Sequence, residues 1–181
     1  IVVPQELVNT RLIFSLQTGD AEFDVDWGDG KRVTYQTETY EGSFTNPEGV
    51  VAGTNIKIYA PQTTLLALAN CGVSAVLVDN MPQLQVLSCS SNKISEISLV
   101  NNPETVELQC GKNPLTIIEL PADNKLEKLY CDDTLIKQLD LSNMKCLKEL
   151  DLDNNNLTSL DLSHSAELVY LSVYDNDLES I

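Results

Sequence analysis

The chain has 181 residues, 43% of them hydrophobic and 21% charged, enough for one or two domains whose core needs neither a metal nor a disulfide framework. Asp and Glu number 27 against 11 Lys and Arg, a net charge of −16 that argues against nucleic acid and anionic membrane as partners, since both bind through Lys/Arg surfaces. No apolar run approaches the roughly 18 residues that span a bilayer.

The chain opens at Ile1 with neither an initiator Met nor a leader pattern, and reads as a trimmed or mature terminus from which the address has been lost. A period of two then governs residues 11–59. Leu12, Phe14 and Leu16 fit one strand, and Phe23, Val25 and Trp27 alternate against Glu22, Asp24 and Asp26 in a second. Gly28-Asp29-Gly30 supplies a hairpin turn, residues 31–36 the returning strand, and Ile56 and Ile58 a last strand. The run Asp24-Val25-Asp26-Trp27-Gly28-Asp29-Gly30 resembles the D-W-G-D-G hairpin of small β modules in bacterial surface proteins, including modules ahead of leucine-rich repeats in Bacteroidetes-like sequences. Residues 1–62 are therefore expected to form a small antiparallel β module that covers the open, hydrophobic end of the domain formed by residues 63–181.

Asp24, Asp26 and Asp29 invite a calcium reading. An EF-hand loop starting at Asp24 would want an oxygen ligand at Gly28, glycine at Asp29 and glutamate at Tyr35, and all three fail. Outward strand acids and a tight turn are the expected reading, with no metal and no cofactor.

From Thr63 onward the sequence repeats every 21 residues, with copies starting at Thr63, Leu84, Thr105, Leu126, Leu147 and Leu168. Three and five residues into each copy stand Leu66/Leu68, Leu87/Cys89, Leu108/Cys110, Leu129/Cys131, Leu150/Leu152 and Leu171/Val173. Eight residues in come Cys71, Asn92, Asn113, Thr134, Asn155 and Asn176. A second apolar set completes each copy, as in Leu157, Leu160 and Leu162, and ends with Leu178 and Ile181. The pattern L-x-x-L-x-C/L-x-x-N-x-L-x-x-L-x-L resembles the leucine-rich repeat family over about two-thirds of the chain. The resemblance implies a mainly β leucine-rich-repeat solenoid of parallel strands over residues 63–181, of about six coils. The convex side is expected to be extended or 3-10, because 21 residues leave little room for a full helix. Recurrence of the pattern after about ten residues suggests two short strands per coil. The asparagine column suits an inward turn where an amide bonds the backbone of adjacent coils. Thr134 and Cys71 depart from it, so their coils are expected to be held more loosely. No comparable cap succeeds the last coil, which reads as truncated or frayed.

Five cysteines occur without a C-x-x-C pair. Cys89, Cys110 and Cys131 share one inward column, and a linear ladder does not offer zinc a tetrahedral array, so free thiols are expected for all five. The single His164 reads as a turn residue. Asp151 and Asp153, two apart, would not forbid paired carboxylate chemistry, but nothing predicts a pocket around them.

The candidate site is the outward strand face. Its first half is small and weakly charged, with Val86, Ser88, Ser90 and Ser91. Its second half gathers Tyr130, Asp132, Asp133, Glu149, Asp151, Asp153, Tyr170, Tyr174 and Asp175, with Lys128 as the one cation. Leucine-rich repeats generally bind other macromolecules, and tyrosines beside carboxylates suit a basic partner. The leading expectation, implied by the resemblance, is a non-enzymatic module, monomeric, exported and secreted or held at the cell surface, recognising a protein or glycan. A carbohydrate-active enzyme or accessory domain, or a structural spacer of a larger surface protein, are the alternatives.

Overall fold

In the computed structural model, residues 1–37 and 43–179 are described. A short 3-10 turn, Gln5–Leu7, precedes β1 (Arg11–Ile13), β2 (Ser15–Thr18), β3 (Glu22–Asp26) and β4 (Arg32–Gln36), and then β5 (Glu48–Val50) and β6 (Lys57–Tyr59). The expected first strand is two strands. Leu12, Phe14 and Leu16 do face one core, at 6% exposure or less. The chain changes partners between them, so that β1 pairs with β5, while β2 pairs antiparallel with β7 (Thr63–Ala67), the first strand of the repeats. The module thus continues the repeat sheet through Leu16 opposite Leu66 instead of only sitting on its end.

The second sheet of the module is β4-β3-β6. Here the reading of Asp26 as an outward acid is corrected. Asp26 is 6% exposed, and its Oδ1 accepts the N–H groups of Gly28 at 2.8 Å and Gly30 at 3.0 Å. Those bonds, that from Gly28 foremost, hold its carboxyl below the usual aspartate range. The D-W-G-D-G run is a self-closed turn. Gly28 (φ 105°) and Gly30 (φ 80°) take conformations that side chains resist. Trp27 lies flat on Gly49, where any Cβ would overlap the indole, and its Nε1–H donates to the Tyr35 hydroxyl at 3.1 Å. Asp24 and Asp29 are occupied by Thr34, Arg32 and the Lys31 N–H.

The repeats form a β-solenoid. Their front wall is β7 followed by β8 (Val86–Ser88), β10 (Glu107–Gln109), β12 (Lys128–Tyr130), β13 (Glu149–Asp151) and β14 (Tyr170–Ser172), all parallel. Register is set by the repeat: Leu66, Leu87, Leu108, Leu129, Leu150 and Leu171 stand opposite one another in turn. The described residues therefore close about five turns, close to the expected six coils. Alternate residues point in and out, so Leu66, Leu87, Leu108, Leu129 and Leu150 are buried while Val86, Ser88 and their equivalents are not, and Leu171, on the last strand, is exposed.

Two strands per coil is too generous an expectation. The back wall has only β9 (Glu96–Ser98) and β11 (Ile117–Glu119), paired with each other. Elsewhere on that side the described residues are extended or turn. Ile181 lies outside the described residues.

Candidate functional site

Each coil turns off its front strand through a residue in the left-handed region: Asn70, Ser91, Lys112, Asp133, Asn154 and Asp175, with φ between 50° and 58°. Sequence reasoning missed this column, because Ser and Lys give no local signal for positive φ. The N–H groups of the first five bond the next coil, as in Asp133 N–H to the Asp153 carbonyl at 2.9 Å. Beside it runs the asparagine column. Asn92 Oδ1 accepts from Cys71 N–H at 3.1 Å and Val73 N–H at 3.0 Å, and its Nδ2 donates to the Leu68 and Cys89 carbonyls at 2.8 and 2.9 Å. Asn113, Asn155 and Asn176 each clamp the preceding coil in the same way.

These turns fix the candidate face. Tyr130 and Glu149 meet across adjacent coils, the Tyr130 hydroxyl donating to Glu149 Oε2. Lys128 Nζ lies 3.3 Å from Glu149 Oε1. The hydrogen bond to Glu149, with some desolvation and the charges of Glu149 and Glu107, pushes the Tyr130 phenol up to about 12. The same bond, then Lys128, holds Glu149 below its ordinary range.

The aspartates behave differently. Asp151 is half-buried, and desolvation, with the neighbouring charges of Asp153, Asp132 and Asp133, raises its carboxyl despite a bond from the Asp153 N–H at 3.1 Å. Asp153 Oδ1 accepts from the Ser172 hydroxyl and the Tyr174 N–H, both at 2.6 Å, so it ties two coils together. The Asp132 carboxylate folds over Gly111, where only glycine leaves room for it. Asp133 and Asp175 occupy the left-handed turns and are exposed. Tyr170 and Tyr174 are 48% and 72% exposed.

The structure thus brings Tyr130, Glu149 and Lys128 into direct contact and crowds Asp132, Asp133, Asp151 and Asp153. Tyr174 and Asp175 sit at the far edge. A groove of about 750 Å³ between residues 116–124 and 135–144, and a hollow of about 500 Å³ beside Ile56 and Leu77, are lined by none of the nine candidates. His164 is exposed beside the Ser163 hydroxyl at 3.0 Å. Cys89, Cys110 and Cys131 are wholly buried, burial pushes the Cys89 thiol up to about 12, and all five cysteines are free.

No protein-family model and no curated protein matches the chain. Among solved structures, it is similar to the functional domain of InlJ from Listeria monocytogenes, which includes a cysteine ladder, with 28% identity over 67% of this chain and 32% of that one, TM-score 0.53. It is similar to the internalin InlF of Listeria monocytogenes at 25% identity, covering 60% of this chain and 37% of that one, TM-score 0.53. A leucine-rich-repeat protein of Leptospira interrogans shares the fold at 24% identity, covering 61% and 31%, TM-score 0.56. The chain spans about a third of the length of these three. Its fold is the mainly β leucine-rich-repeat solenoid, and its structural neighbours are bacterial. No helix among the described residues is long and apolar enough to cross a membrane.

Proposed function

We propose that the chain is a non-enzymatic binding module, displayed at or secreted from a bacterial cell surface, whose front wall docks a protein partner carrying exposed lysine or arginine. The observation that supports this reading is the charge of the second half of the face. Its one cation, Lys128, is already engaged by Glu149, while Asp151 and its neighbouring carboxylates repel one another with no ion pair among the described residues. A basic side chain would relieve that repulsion, and Tyr170 and Tyr174 offer rigid apolar area with polar tips around it. The internalin-type neighbours support a binding role by likeness of fold. Crowded carboxylates that stay half-exposed or exposed and line neither of the two hollows described above favour binding over hydrolysis.

The test is a display selection against the immobilised wild-type chain, with titration of the selected proteins. Tyr130→Ala and Tyr170→Ala should weaken binding at least tenfold with little change in melting temperature, raised salt should weaken it further, and Val86→Ser should leave it unchanged. Binders that ignore both tyrosine variants and respond to Val86→Ser would refute the reading.

A further inference from the structure

Between the third coil, which starts at Thr105, and the fourth, which starts at Leu126, the solenoid lacks its clamp. Thr134 stands where asparagine should be, and its hydroxyl turns the other way, to Asn155 Oδ1 and, at 3.5 Å, to its own coil's Cys131 carbonyl. The front wall stays paired there, β10 to β12. The back wall does not. Leu135 N–H still reaches the Leu115 carbonyl at 2.9 Å and Asn124 Nδ2 the Asn143 carbonyl at 3.1 Å, but among the described residues no backbone bond joins 116–123 to 136–142 between them. The groove of about 750 Å³ lies at this opening, within the roughly 300–1,000 Å³ range of ligand sites. Ile118, Leu120 and Leu139 line it half-exposed, although their column neighbours Ile97, Leu99 and Leu160 are buried. Ile117 and Leu135 stand exposed on its rim.

We infer that this groove is a second docking surface, which takes an extended peptide segment of another protein as an added strand on the free edge of β11. Three properties select that occupant. The edge of Ile117–Glu119 turned away from β9 offers backbone donors and acceptors that an extended main chain satisfies at the usual strand spacing of about 4.8 Å. The half-exposed core side chains below it accept the apolar residues that alternate along such a strand. Lys137 lines the groove and makes no ion pair among the described residues, whereas Asp140 on the same lining accepts the Ser142 N–H at 2.9 Å, so Lys137 is the group left to meet a carboxylate on the peptide. This surface is independent of the front-wall proposal, for it uses none of the same residues.

The probe is a set of blocked hexapeptides alternating valine or isoleucine with threonine and ending in glutamate, titrated into the isotope-labelled full chain and tracked by amide shifts and hydrogen exchange. Shifts and slowed exchange are expected at Ile117, Ile118 and Glu119. N-methylation of alternate peptide amides should weaken binding at least tenfold. Lys137→Glu, a fully surface change that leaves the fold intact, should weaken the glutamate peptides about tenfold and bind versions ending in lysine better. Tyr130→Ala and Tyr170→Ala should change nothing. Absence of binding, equal affinity for the N-methylated peptides, a second copy of the chain in the groove by sedimentation, or shifts confined to the front wall would each overturn the inference.

Discussion

Tyr130 donates its hydroxyl hydrogen to Glu149, one coil further along, and this bond ties the protonation of both groups to the packing of their coils. The Glu149 carboxyl is held below 4.5, so its contribution is complete above the ordinary glutamate range and is lost as pH falls through the lowered value. The Tyr130 phenol is raised from 10.0 to about 12, so its contribution is complete below 10.0 and is lost as pH rises through about 12. Phenolate absorbance should show one tyrosine ionising near 12. Glu149→Gln should return it toward 10.0, and Tyr130→Phe should remove it.

Asn113 and Thr134 make opposite tests of the clamp. Asn113→Ala deletes bonds to the Ile94 N–H and to the carbonyls of Cys89, Cys110 and Gly111, leaving buried groups unpaired. A loss of about 3 kcal/mol in denaturant unfolding is expected. Thr134→Asn should instead stabilise by about 1 kcal/mol. A destabilised Thr134→Asn with unchanged fold would mean that the hydroxyl bond to Asn155 outweighs the missing clamp.

Gly49→Ala places a methyl group within the Trp27 indole, so the ring must leave a site where it is 5% exposed. A cost of about 2 kcal/mol or more and a red shift of tryptophan emission are expected. The chain has one tryptophan, so the emission reports this site alone.

Alkylation without reductant should label Cys146 first in the folded protein, since it is exposed, and should spare Cys89, Cys110 and Cys131. Five labels should appear on unfolding, read by intact mass. Fewer would reveal a disulfide.

The solenoid was legible because the 21-residue spacing puts identical side-chain types on every coil, and one register satisfies them all. The missing clamp at Thr134 could be anticipated from the same column. Partner choice was hidden where local patterns agree. Leu12 and Leu16 alternate as one strand, yet belong to two sheets, since the chain changes partner on either side of Phe14, from β5 to β7. Asp26 looks like any outward acid until two turn N–H groups close on it. On the candidate face, residue positions were readable, but the use of Asp153 as a tie to Ser172 and Tyr174 depends on side-chain reach across coils.

The one-coil register of Leu66, Leu87, Leu108, Leu129, Leu150 and Leu171 makes length itself a quantised variable for this chain. Excision or duplication of 21 residues within the repeats joins one left-handed turn to its equivalent and leaves every remaining leucine opposite another. An indel of any other size shifts all later side chains out of column. Lineages of this protein should therefore differ in the repeats by whole coils, and an edit that removes residues 105–125 would fold with the Asn92 and Thr134 coils as new neighbours.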